Sequence, residues 1–253
     1  MGQATFRGDL IGGKTLVGTF MKTPAIDVLE VLILSGLDFV CLDAEHAPFD
    51  RAAMNACGAL ARAADLPLLV RVPKADAAEI GAALDLGALG VVVPHVIDVP
   101  TATRVARAAR FGHGGRGFAG STRWAGFGGS DMATLLERSR SETVVIAQIE
   151  DPEAVACCED IAAVAGIDAL FLGPADLSVA YGKTDQSSPE LQAAQGRVGR
   201  AAKAAGKGYA TFVADAAAGR TLARHGVNAW FVASEQAWII AGARAAKAGL
   251  TAP

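Results

Sequence analysis

The stretch "VVIAQIEDPEAV" (residues 144–155) decides the fold. It opens as a buried strand, Val144-Val145-Ile146, without a polar side chain. It closes with Gln148 and Glu150, two residues apart and therefore on one face of a strand. Asp151-Pro152 then starts a helix, because proline suits the first helical turn. The stretch is one βα unit with polar groups gathered at the C-terminal end of its strand.

The same phrase recurs along the chain. Strands are predicted over residues 15–20, 39–43, 68–72, 90–94, 144–149, 169–173, 209–213 and 229–233. Helices are predicted over residues 24–35, 50–64, 76–87, 98–109, 151–164, 189–205, 215–225 and 235–248. Eight strands, each followed by a helix, define an α/β fold of the (β/α)8 TIM-barrel type. Gly36, Gly87, Gly166, Gly206 and Gly226 each stand shortly before the next strand, where glycine relieves a left-handed helix cap. No stretch rich in Ser, Pro or charge divides the chain, so a single domain over residues 1–253 is expected. One segment, residues 111–129, breaks the rhythm with eight glycines and no periodicity. A loop of this length in a compact domain reads as a lid or an interface loop.

Composition excludes several classes. The net charge is −3, and no basic patch interleaved with aromatics occurs, which argues against nucleic acid. No apolar run approaches the roughly 18–20 residues of a membrane span. The cysteines Cys41, Cys57, Cys157 and Cys158 form neither a CxxC pair nor a metal spacing. Free thiols in a reduced cytoplasm are the expectation, and the first residues do not read as a secretory signal.

In a barrel of this type the chemistry sits at the C-terminal strand ends. Strand 2 delivers Asp43, Glu45 and His46, strand 3 Arg71, strand 4 His95, strand 5 Gln148 and Glu150, strand 6 Asp176, strand 7 Phe212 and strand 8 Ser234. Charged residues in apolar strands are costly unless paired or bound to a metal. Arg71 therefore needs an anion, and Glu150 and Asp176 need a cation. One βα unit apart, these two carboxylates are expected on neighbouring strand ends, about 4.8 Å apart. They repel unless they share a proton or a cation lies between them. A hard divalent ion such as Mg²⁺ or Mn²⁺ is the simpler answer. The turn Gly173-Pro174-Ala175-Asp176 can aim backbone N–H groups at a small anion. Asp43, three residues before His46, is placed to orient its ring as an acid/base pair. His95, His113 and His225 have no such context and read as bland. Asp85 ends a helix, where an acid opposes the helix dipole and suggests a partner elsewhere.

Together, "DAEHAPF", "LVRVP", "QIEDPEAV" and "LFLGPADLS" resemble the metal-dependent pyruvate aldolases of the aldolase/citrate lyase family, such as the 4-hydroxy-2-oxoheptanedioate and 2-dehydro-3-deoxyglucarate aldolases. The resemblance runs from about Lys14 to about Lys247. It implies a TIM barrel with an extra C-terminal helix exchanged between subunits, assembled as a homo-hexamer, a trimer of dimers. It implies Glu150 and Asp176 as ligands of Mg²⁺ or Mn²⁺, with Co²⁺ a further option. Gln148 then lies beside the metal and the oxoacid, the amides of Ala175 and Asp176 hold the oxoacid carboxylate, and Gly173, Pro174 and Phe212 belong to the substrate-binding set. Arg71 contacts the ketone oxygen, His46 with Asp43 moves the proton, and Asp85 approaches from a neighbouring subunit. Phe20 and Phe212 at the strand mouths are placed to line an aldehyde pocket. Where many relatives have Asp-Gly-Glu-His, this chain has Asp43-Ala44-Glu45-His46.

The expected reaction is a reversible aldol cleavage of a 4-hydroxy-2-oxoacid to pyruvate, or hydroxypyruvate, and an aldehyde. The partners are these small molecules, not a nucleic acid or a membrane. A Schiff-base aldolase is a rival, but it needs a lysine aimed into the barrel, and only Lys22 and Lys74 lie near strand ends. A CoA-thioester lyase of the citrate lyase type is a second rival, and a non-catalytic oxoacid-binding protein a third.

Overall fold

The computed structural model describes residues 2–251; residues 1, 252 and 253 of the expected domain lie outside the described residues. In chain order the elements are α1 (Gln3–Ile11), β1 (Leu16–Met21), α2 (Ile26–Leu34), β2 (Phe39–Asp43), α3 (Arg51–Ala63), β3 (Leu68–Arg71), α4 (Ala77–Asp85), β4 (Gly90–Val93), α5 (Val99–Ala108), α6 (Met132–Ser141), β5 (Val144–Ile149), α7 (Pro152–Ala156), α8 (Cys158–Ala163), β6 (Ala169–Leu172), α9 (Pro174–Ala180), α10 (Pro189–Ala204), β7 (Gly208–Val213), α11 (Ala216–Leu222), β8 (Ala229–Ser234) and α12 (Glu235–Thr251). The eight strands pair in parallel, each with its sequence neighbours, and β8 closes on β1. This is the predicted (β/α)8 barrel.

Alternation along each strand sorts side chains to two cores. On β5, Val144 and Ile146 point into the barrel, while Val145, Ala147 and Ile149 face the helices. Inside, the Phe231 ring packs 4.8 Å from Phe39, 4.9 Å from Phe171 and 5.0 Å from Phe20. Full burial of one such ring stabilises by roughly 1.5–3 kcal/mol. A Cβ on Gly18 would stand 2.5 Å from the Phe39 ring, so glycine there admits the phenyl group.

The helix ends explain the rhythm of the sequence. Gly36, Gly87, Gly166, Gly206 and Gly226 all have positive φ, as the predicted left-handed caps require. At the other ends, Asp50, Asp76, Asp98 and Asp215 accept backbone N–H groups of α3, α4, α5 and α11. Each such cap contributes about 1 kcal/mol.

Several elements depart from expectation. Helix α1 is unforeseen; Phe6 and Leu10, four residues apart, join the inner barrel core and plug its base. The helix predicted over 151–164 is broken at Cys157 (φ −123°, ψ 23°) into α7 and α8. Helices α6 and α9 are additional. The glycine-rich segment 111–129 is not a lid over its own barrel mouth. It follows the C-terminus of α5, at the base, and its Phe111 and Trp124 pack with Leu135 of α6. Arg123 from this segment reaches Asn55 of α3, at 2.9 Å. All four cysteines are free. Among the described residues, no helix is long and apolar enough to cross a membrane.

Candidate active site

The mouth of the barrel holds a cavity of about 340 Å³. Phe20, Phe171, Phe212, Ala214 and Ala233 form its apolar side, and Lys22, His46, Arg71, Gln148, Asp176 and Ser234 its polar side. Gly173, Pro174 and Ala175 complete the wall. Phe20 and Phe212 both line this cavity, at the strand mouths as expected. Asp43, Glu45 and Glu150 lie behind the wall and act on its groups.

The register of β2 on β3 aligns Asp43 with Arg71. Arg71 Nε donates to Asp43 Oδ1 at 3.0 Å and Nη2 to Oδ2 at 2.8 Å. Its guanidinium carbon lies 4.4 Å from the centre of the Phe20 ring. Glu45 Oε2 lies 3.3 Å from Arg71 Nε. Burial alone would raise the Asp43 carboxyl, but the Arg71 guanidinium outweighs it and holds Asp43 below the usual range. Glu45 is raised by its burial, which Arg71 only partly offsets. The guanidinium is thus clamped in one plane with its charge directed at the cavity.

This pairing corrects one expectation. Asp43 does not orient the His46 ring; its Oδ1 accepts the His46 backbone N–H at 3.1 Å. It fixes the turn instead. The half-exposed imidazole has Glu45 as its acidic neighbour, with Nε2 3.6 Å from Glu45 Oε2. The bidentate demand of Arg71 uses the Asp43 oxygens that the ring would have needed.

Gln148 and Glu150 continue the inward row of β5, and both are buried. The Gln148 amide donates to Glu150 Oε2. Glu150 Oε1 accepts the His95 backbone N–H at 2.9 Å. Burial pushes the Glu150 carboxyl up, Asp176 adds to this, and the amide donors offset only part. Asp176 stands in the first turn of α9, beyond the end of β6, exposed to the cavity. In the same turn the Ala175 and Asp176 amides have no partner within the helix.

The donor set suits a hard cation. It comprises two carboxylates and the buried Gln148 Oε1, which has no hydrogen-bond partner. A Cβ on Gly173 would sit 2.7 Å from Glu150 Oε2 and 3.3 Å from the Gln148 amide nitrogen. The absence of a side chain at Gly173 leaves room for these two groups. Among the described residues, no group of three or more His, Cys, Asp and Glu side chains gathers as a metal cage. Substrate oxygens or water would have to complete the coordination.

His95, bland in sequence, has a distinct place in the structure. Its backbone is left-handed (φ 51°), rare for a non-glycine residue, and this turn aims its N–H at Glu150. Its ring Nδ1 lies 2.9 Å from Asp151 Oδ2. Asp151 precedes Pro152 at the start of α7 yet makes no capping bond. The predicted helix start is correct, but the carboxylate serves His95. The signal available in sequence is a histidine immediately after Pro94 at a strand end. Lys22, which sequence places only near a strand end, lines the cavity with Nζ 3.4 Å from Asp43 Oδ2.

Asp85 is not brought to the mouth of its own barrel. It ends α4 at the opposite end and pairs there with Arg116, whose guanidinium lies 4.7 Å from the Phe111 ring centre.

A closed parallel barrel with buried carboxylates, an arginine and a histidine at its strand ends defines an enzyme of the TIM-barrel class. Residues 16–241 match the family described as HpcH/HpaI aldolase/citrate lyase, and the chain belongs to it. A hydroxypyruvate/pyruvate aldolase of Sagittula stellata is 35% identical over 193 residues, 75% of each chain. A 4-hydroxy-2-oxovalerate aldolase of Rhodococcus jostii is 34% identical over 208 residues, 80% of this chain and 79% of that one. The crystal structure of an HpcH/HpaI aldolase/citrate lyase family protein from Burkholderia cenocepacia superposes with a TM-score of 0.91 at 32% identity, covering 98% of this chain and 99% of that one.

Proposed function

We propose that the chain is a divalent-metal-dependent carbon–carbon lyase that cleaves 4-hydroxy-2-oxoacids reversibly to pyruvate, or hydroxypyruvate, and an aldehyde. One observation carries this reading. Glu150 is buried, and that burial with the charge of Asp176 raises its pKa; it accepts from Gln148, whose buried Oε1 has no partner and which shares one cavity with Arg71 and Asp176. Glu150 and Asp176 would hold Mg²⁺, Mn²⁺ or Co²⁺. When bound, such an ion supplies Lewis acidity to the oxoacid ketone.

The other parts belong to the chain's own residues. The free amides of Ala175 and Asp176 receive the oxoacid carboxylate, with Gly173 and Pro174 shaping the turn. Arg71, held flat by Asp43 and Phe20, stabilises negative charge as it develops on the ketone oxygen. His46 exchanges the proton of the C4 hydroxyl, worth typically about 10²–10⁴-fold. Phe20 and Phe212 exclude water around the aldehyde.

Association of identical chains into a hexamer, a trimer of dimers, is part of the proposal. Trp238, Ile239 and Ile240 on α12 stand partly or largely exposed, which supports a second copy covering them. Asp85 would then act from a neighbouring subunit. Four free cysteines support a cytoplasmic setting.

The test is pyruvate release from a panel of 4-hydroxy-2-oxoacids, before and after chelation and with metal restored. Turnover that survives thorough chelation refutes the metal assignment. The presence of Lys22 in the cavity, with Nζ 3.4 Å from Asp43 Oδ2, keeps a Schiff-base reading in view. Borohydride trapping with pyruvate separates the two, and no adduct is expected.

A further inference from the structure

At the base of the barrel, opposite the mouth, a second cavity of about 370 Å³ opens beside Gly166 and the turn 112–115. Its volume falls in the small-molecule range of roughly 300–1,000 Å³. Arg7, Arg107, Arg110, Arg140 and His113 line it, and among the described residues no Asp or Glu does. The whole chain carries a net charge of −3, so this concentration of cations runs against its composition.

Two carboxylates reach these arginines from outside the wall. Asp168, fully buried, accepts Arg7 Nε at 2.9 Å and Arg110 Nη2 at 2.8 Å. Glu137 pairs with Arg140 on the exposed surface. Arg107 forms no ion pair among the described residues. Four guanidiniums against two carboxylates leave positive charge in surplus.

The site is also built in advance. Arg110 donates to the carbonyl oxygens of Gly166 at 2.6 Å and Thr143 at 3.0 Å, so its orientation is fixed without a ligand. Gly114 (φ 68°) lets the Arg107 guanidinium lie against the turn; a Cβ there would sit 3.1 Å from Arg107 Nη2. Arg107 and Arg140 belong to the last turns of α5 and α6, where helix dipoles favour cations. The dipoles account for arginine at each helix end. They do not account for the meeting of both ends at one cavity, beside the Arg7 and Arg110 that Asp168 draws together.

We propose that this cavity binds a small phosphate-bearing anion, at a site separate from the catalytic mouth. Guanidinium forks match phosphate oxygens two at a time; Arg107 and Arg140 would supply the forks, while Arg7 and Arg110, held by Asp168, add positive charge behind them. Phe111 and the turn 112–115 share the cavity wall, so the ligand would rest on the first residues of the glycine-rich segment.

The test is calorimetric titration of the metal-loaded full chain with inorganic phosphate at constant ionic strength, with chloride as control, repeated in EDTA. Saturable binding is expected, equal in both conditions and at least about tenfold weaker in the double variant R107Q/R140Q. Both arginines are exposed, so this variant keeps wild-type turnover and melting temperature. Binding abolished by EDTA would locate phosphate on the cation at the mouth and overturn the proposal. Unchanged affinity in the double variant, or no saturation beyond chloride, would also overturn it. None of these readouts depends on the aldol assignment.

Discussion

Buried carboxylates stand at both ends of this barrel, and their surroundings differ. At the base, Asp168 is enclosed by Arg7, Arg110 and the Val145 N–H, which lies 2.8 Å away. Each oxygen has a donor, and the group is a structural hub joining α1, β5 and the segments that follow α5 and precede β6. At the mouth, burial raises the pKa of Glu150 and the nearby Asp176 adds to this, while amide donors and the His95 ring, 3.6 Å away, offset only part. A buried charge that is fully paired holds the fold, whereas one left short of a cation is poised to take one up. Asp43 lies between these cases: it is fully paired, but its partner Arg71 fronts the cavity.

The comparison can be broken most directly at Glu150. E150Q is expected to lower turnover by on the order of 10³-fold or more, since a metal supplies several kcal/mol of charge stabilisation. Steady-state kinetics and bound-metal analysis check this. The sign for the metal-free protein is opposite. A carboxyl with a raised folded pKa costs stability once pH exceeds its unfolded value. In EDTA at neutral pH, E150Q should therefore melt above the wild type. For the same reason Mn²⁺ affinity should weaken on acidification while ordinary glutamates are still ionised, a titration that metal-binding fluorescence can follow.

At the base the effect should invert. D168A is expected to cost about 3–5 kcal/mol of stability, because two guanidiniums lose their buried partner. Chemical denaturation measures the loss, and the folded fraction should turn over at the wild-type rate. A D168A enzyme that is stable but inactive would dissolve the distinction between the two ends.

Next in size, H46N should lower kcat by roughly 10²-fold or more while metal content stays unchanged. The smallest effect concerns His95. H95G keeps the N–H that serves Glu150 and accepts the left-handed backbone, so it should change stability by no more than about 1 kcal/mol. H95V has the same N–H but resists that backbone, and it should lose metal affinity that H95G retains. Equal loss of affinity in the two variants would show that the ring, not the turn, matters.

The barrel is legible in the sequence because its signals are local. Apolar runs, capping glycines and acidic helix starts are each written within a few residues. Helix α1 escapes such a reading because it buries just two residues, Phe6 and Leu10, with Gly8 between them. At the site, the inward aim of Gln148 and Glu150 follows from strand alternation and is readable. The partner of Asp43 is not. His46 is near in sequence, but Arg71 is near in register, and register between neighbouring strands is set by the closed sheet. His95 is hidden for a similar reason, since its importance lies in a backbone turn against the next strand.

Helix α1 has a kinetic consequence. With Phe6 and Leu10 sealing the base and four phenyl rings filling the barrel, the mouth is the single door. On the proposed function the oxoacid would be held by its carboxylate and ketone oxygen, whereas the aldehyde would meet only the apolar Phe20 and Phe212. Cleavage should therefore be an ordered process in which the aldehyde departs first and the oxoacid last. Product-inhibition patterns would carry that signature, with the last-leaving oxoacid competing against the substrate.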